Sequence, residues 1–136
     1  MIIRIPKTEL VYSYPYNKLF DPSFTYKRLI ALKQKCRTFE QLYKKHIKAI
    51  LKLIAKYSER WRQPYIPIYI VEKARKSFSH PLTLRYNKDA RKMLLILIHE
   101  LIHNNISKKF NSSKELHAYI EPIFEKVLQE LAKPNT

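Results

Sequence analysis

The chain of 136 residues contains no glycine. Glycine reaches positive φ without a steric penalty and lets a backbone approach a phosphate closely. Without it, the glycine-rich loops of P-loop and dinucleotide-binding proteins cannot be built. The G-x-S-x-G elbow of the α/β-hydrolases is excluded for the same reason. Nucleotide-driven and ordinary serine-esterase chemistry are therefore poor fits. The length suits one domain, residues 1–136. A hydrophobic share of 46% supplies a core without disulfides. Cys36 is the single cysteine, so no oxidising compartment is implied. The first residues, Met1 to Pro6, lack the unbroken apolar run of a secretory leader. The longest apolar run, Met93 to Ile98, is far too short to span a bilayer. A cytoplasmic protein without a membrane partner is expected.

Lys and Arg total 27 against 11 Asp and Glu, a formal net charge of +16. This excess points toward a polyanion. Lys44, Lys48, Lys52 and Lys56 step by four along one helix face, widened by Lys45 and Arg60. Such a ladder can track nucleic-acid phosphates with strong salt dependence. Opposite an apolar face it is ordinarily a solvated surface. Tyr12, Tyr14 and Tyr16 could stack bases, although tyrosines at alternate positions more often pack one side of a strand. No helix-turn-helix or zinc-finger pattern accompanies them.

The order of elements is that of an α+β domain. Asp21-Pro22 predicts a helix start, with the helix running to about Lys35. Thr38 with Gln41 forms a capping-box pattern before the clearest helix. In it Tyr43, Ile47, Ile50, Ile54, Tyr57 and Trp61 step by three or four. Tyr65 to Val71 and Leu82 to Tyr86 have strand composition, and Pro67 marks the first as an edge strand. Asn87 is placed to cap a helix from about Lys88 to Asn105, ended by Asn104 or Asn105 in the left-handed region. Ser112 with Glu115 opens a last helix to about Leu131.

Within the helix after Asn87 stands His99-Glu100-Leu101-Ile102-His103, the pattern H-E-x-x-H. Residues four apart share a helix face, so two imidazoles can grip one Zn2+. Glu100 falls beside the metal, where it can take a proton from a zinc-bound water and deliver it to a leaving group. With 5 His in the chain, a chance match has a probability of about 1%. Two histidines and a glutamate would also be expensive to bury in an apolar stretch without a purpose.

A catalytic zinc ordinarily has three protein ligands and one open position. The metzincin pattern needs Gly and His three and six residues after the second histidine. Those positions hold Ile106 and Lys109, so the third ligand is sought on the last helix, among Glu115, His117 and Glu121. Glu115 serves the capping box. Glu121 lies about two turns into the helix, level with the motif, and is the preferred ligand. Glu125, four residues on, could orient His99 or His103. His117 shares the stripe one turn earlier, to line the cleft or compete as ligand.

With H-E-x-x-H, a short reversal and a glutamate-bearing helix after a long helix and a few strands, the chain resembles the minigluzincins, small zinc metallopeptidases with a reduced thermolysin-like core. The resemblance covers roughly Thr38 to Leu131, a catalytic core of residues 38–131 after an N-terminal extension of residues 1–37. It implies His99, His103 and Glu121 as zinc ligands and Glu100 as general base and acid. The Thr38–Arg60 helix would be the backing helix, with a small sheet packed on it. The resemblance further implies that a peptide or protein substrate adds to an edge strand, with Leu82–Tyr86 and Tyr65–Val71 as candidates. An inhibitory role for Met1 to Arg37 follows the same likeness. The expected function is zinc-dependent peptide hydrolysis. The alternative is a basic nucleic-acid-binding module whose H-E-x-x-H is a structural or non-catalytic metal site.

Overall fold

The computed structural model describes residues 4–133. Met1–Ile3, part of the expected N-terminal extension, and residues 134–136 lie outside the described residues. The chain runs through β1 (Lys7–Val11), α1 (Tyr14–Phe20), α2 (Tyr26–Lys35), α3 (Arg37–Tyr57), β2 (Tyr65–Val71), β3 (Phe78–Ser79), β4 (Leu82–Arg85), α4 (Ala90–Asn105) and α5 (Ser113–Ala132). This is the expected α+β class, a four-stranded sheet packed on helices. None of the described helices is long and apolar enough to cross a membrane.

The lack of glycine is visible in how the helices end. None of the described residues has a positive φ. α1, α4 and α5 stop instead on extended residues, Asp21, Ile106 and Lys133. The left-handed termination expected of Asn104 or Asn105 is not used, and both side chains lie buried within α4. Three helix starts also move. Thr25 rather than Asp21 caps α2, because the Asp21 carboxylate is taken by Ser23 and Arg28. Cys36 precedes α3 without a side-chain cap, so Thr38 lies inside the helix. Asp89 caps α4, while Asn87 accepts the Asp89 N–H. The Ser112 cap is as expected, accepting the Glu115 N–H at 3.1 Å. Glu115 reaches back to the N–H of Asn111.

The sheet order is β1-β2-β4-β3, with β1, β2 and β4 parallel and β3 antiparallel to β4. β2 is therefore interior, not the edge strand that Pro67 suggests. Lys7 donates to the Pro64 carbonyl, so in the alternating parallel pattern the Pro67 nitrogen faces away from β1. β4 pairs with β2 only from Tyr69 onward, and the donor that proline lacks has no partner to miss. β4 is interior as well. The free edges are β1 and β3, and neither segment named for substrate addition is one of them.

Residues 4–37 are built into this core. β1 pairs with β2 along its whole length, and Phe24, Leu29, Leu32 and Cys36 are buried. Asn17, itself buried, donates to the Ile70 carbonyl and accepts the Glu72 N–H, continuing β2 by a side chain. The alternate tyrosines do not share a strand face, because α1 begins at Tyr14. Tyr12 donates to Glu40, Tyr14 stacks on Tyr26 at 4.3 Å, and Tyr16 bonds Thr83. All three are engaged inside the molecule.

α3 buries Phe39, Tyr43, Ile50, Leu51 and Ile54 and packs against α4 and α5, as a backing helix would. Lys44, Lys48, Lys52 and Lys56 are all exposed. α4 buries Met93, Leu97, Ile98, Leu101 and Ile102 between the sheet and the helices α3 and α5.

Candidate metal centre

The one stripe of α4 left partly open carries His99, Glu100 and His103. Their spacing places the two imidazoles one turn apart, with ring centroids 4.7 Å from each other. α5 packs against α4 and brings in a third imidazole. The His117 ring lies 6.2 Å from that of His99 and 5.6 Å from that of His103. One ligand atom from each of the three histidines falls within 4.8 Å of the others. Tetrahedral zinc with bonds near 2.1 Å needs its nitrogen ligands about 3.4 Å apart. The three atoms stand wider than that and His117 is exposed; as donors, imidazoles suit a borderline-soft divalent ion.

The local chemistry prepares these rings. His117 Nδ1 lies 2.8 Å from the Ser113 carbonyl. The Ser113 hydroxyl lies 3.2 Å from the same nitrogen; when Nδ1 donates to the carbonyl, Nε2 is the nitrogen left for a metal. The His99 ring meets the edge of Phe124 at 5.7 Å and 88°. Burial holds the His99 pKa below the usual histidine value, against the opposing pull of Glu121. Burial, with the neighbouring histidines, brings His103 down to about 4. Both shifts favour the uncharged ring, the form that can donate a lone pair. Burial pushes Glu100 up to about 7, partly offset by Lys76 and His117.

Glu121 is exposed and close enough to influence His99 electrostatically, but it is not among the clustered ligand atoms. Glu125 is also exposed, and Phe124 is the residue of that turn in contact with His99. Pro122 lies within α5, which runs unbroken from Ser113 to Ala132.

Two cavities flank the histidines. One, of about 460 Å³, is lined by His103, Ile106, Phe110 and Leu116, with Ser79 and His80 opposite. The other, of about 410 Å³, lies at Glu100 and Ile96 and is walled by Arg75, Lys76 and Arg85. β3, the free edge, is tied to α4 by Asn104, whose Nδ2 donates to the Ser79 carbonyl at 2.7 Å. Gln63 donates to Asn104 Oδ1 at 3.0 Å. Sequence reasoning assigns Asn104 to helix termination and misses this role. The available signal was a polar residue directly after His103 in an otherwise apolar helix. Asn105 donates to the Glu59 carbonyl, and the Glu59 carboxylate holds Ser107, fixing the turn after α4.

No protein-family model matches the chain, and no curated protein and no solved structure shows significant similarity to it.

Proposed function

We propose that the chain is a zinc-dependent metallopeptidase in which His99, His103 and His117 hold the metal and Glu100 moves the proton. The observation that carries this reading is the convergence of a third imidazole, from a different helix, on the H-E-x-x-H pair. It also revises the ligand preference drawn from sequence, exchanging Glu121 for His117 and leaving Glu121 to act on His99 through space.

A zinc ion held by these rings would polarise a peptide carbonyl and make water nucleophilic near neutral pH. The remaining steps belong to the chain. Glu100 sits next to His99 and lines a cavity wide enough for substrate. Its carboxylate accepts a proton from the attacking water and passes it to the departing amide nitrogen. An extended peptide would add along the outer edge of β3, the strand that Asn104 holds to α4. Substrate would then run beside His99 and Glu100 and reach the two cavities.

The deciding experiment is metal analysis of protein purified without added zinc, together with peptide hydrolysis by Glu100→Ala. Near-stoichiometric zinc, with hydrolysis lost in the variant while zinc stays, is the expected result. Protein that neither carries nor takes up zinc overturns the reading.

A nucleic-acid-binding function is the second reading, favoured by one observation. Lys44, Lys48, Lys52 and Lys56 are exposed along one face of α3 without a carboxylate in ion-pair range among the described residues.

A further inference from the structure

The cavity at Glu100 is walled by three cations, Arg75 and Lys76 from the β2–β3 connection and Arg85 from the end of β4. Elsewhere in the fold a few cations are matched. Arg28 pairs with Asp21 and Glu72, Lys35 with Glu72, Lys73 with Asp21 and Arg62 with Glu59. No carboxylate of the described residues lies within ion-pair distance of Arg75, Lys76 or Arg85. The chain has 27 cationic and 11 acidic residues, so unpaired cations are common, but these three converge on one concave wall beside the proposed catalytic carboxylate. Their placement is fixed by β4, whose last residue is Arg85. The Arg85 N–H donates to Ser77 Oγ at 2.8 Å, closing the connection back onto the strand.

We infer that this cavity binds the carboxylate of an Asp or Glu side chain adjacent to the scissile bond, making the enzyme selective for acidic peptides. The inference rests on the peptidase reading for its catalytic consequence, but the binding it describes stands apart from catalysis. A cavity of about 410 Å³ accommodates one side chain. The lining also holds Ile96 and Glu100, leaving three cations against one carboxylate, a net positive pocket for a single acidic side chain. Arginine and lysine together supply directed and point-charge contacts to one carboxylate.

Two measurements test this on the full chain. The first compares kcat/KM for peptide sets that differ only by Glu, Gln or Lys at each position flanking the cleaved bond. One position should favour Glu over Gln by about tenfold, the size expected of a charge-assisted hydrogen bond. Arg75→Glu with Lys76→Glu, both at exposed positions, should invert the order toward Lys. The second measures fluorescence anisotropy of the labelled Glu and Gln peptides with zinc removed by chelator. The Glu peptide should bind more tightly, with the advantage lost in the double variant. If no peptide is cleaved but this advantage persists, the peptidase reading fails and the acidic site stands. Equal binding and equal cleavage of the Glu and Gln peptides overturn the inference. So does a single-stranded oligonucleotide that displaces the Glu peptide and itself loses affinity in the double variant, because the cavity would then serve nucleic acid.

Discussion

Replacing His117 and Glu121 by alanine, one at a time, separates two ways of completing the metal site. Four-ligand zinc sites bind with about 10–16 kcal/mol, or about 2.5–4 kcal/mol per ligand. Loss of one true ligand should therefore weaken zinc by about 10²- to 10³-fold. The three-histidine reading assigns this loss to His117→Ala, since one of its ring nitrogens lies in the cluster with His99 and His103. Glu121 is exposed and acts on His99 only across space, so its removal should change affinity by no more than about fivefold, the range of an exposed charge pair. Competition with a chromophoric chelator at neutral pH reads both numbers directly. Ser113 and Glu115 both remain in each variant, so the start of α5 should persist, which far-UV circular dichroism checks. If Glu121→Ala loses more affinity than His117→Ala, the glutamate is the ligand and the three-histidine site is wrong.

Three further outcomes are expected. Asn104→Ala removes the bonds to Ser79 and Gln63 and leaves a carbonyl of β3 unpartnered; the loss should be about 2 kcal/mol, seen as a Tm lower by about 5–10 °C, and an unchanged Tm would show that β3 is not anchored through this side chain. The hydroxyl of Ser23, then Arg28, holds the Asp21 carboxyl at about 2, below its ordinary 3.8; because the folded value is the lower one, the stabilisation is complete above about pH 4 and disappears as pH falls toward 2. Asp21→Asn should flatten the stability profile in that window, and identical acid denaturation of both proteins would refute it. If the four-lysine face of α3 binds DNA, log affinity should fall against log salt with a slope contribution of about −3 to −4, removed by glutamine at all four positions; a flat response leaves the ladder a solvated surface.

What was legible in the sequence was whatever rested on local spacing. H-E-x-x-H names its own helix face, so His99 and His103 could be paired before any fold was known. The Tyr65–Val71 strand and the Ser112 cap are equally local. The third ligand is not local. On the proposed reading it depends on the angle and register at which α5 returns after the turn at residues 106–112, where one turn separates His117 from Glu121. Nothing in the spacing between the helices fixes that turn. It is set by Asn105 on the Glu59 carbonyl and by Ser107 on the Glu59 carboxylate, contacts between segments 46 to 48 residues apart.

The same distinction explains the strand assignments and returns to the missing glycine. Pro67 excludes a donor at one residue, which sequence extends to the whole strand; pairing in the fold is decided flank by flank, and β4 begins just past the gap. Likewise, the absence of glycine suggests asparagines in the left-handed region at the end of α4, because a helix must end somehow. α4 instead leaves through an extended Ile106, and this exit frees Asn104 and Asn105 for tertiary contacts. Asn104 then holds the edge strand against the proposed metal helix, and Asn105 holds the turn that delivers His117. Had either asparagine been consumed by helix termination, the anchoring of β3 or of the α4–α5 turn would have needed another residue. On this argument Asn105→Ala should act on the site at a distance. Losing its bond to Glu59 loosens the turn and should weaken zinc by about 10-fold, the lower range for a residue that only positions ligands, while Glu59→Gln, which keeps the carbonyl that Asn105 uses and gives up one of the two carboxylate bonds to Ser107, should weaken it less. Zinc affinity unchanged in Asn105→Ala would show that α5 finds its register without this anchor.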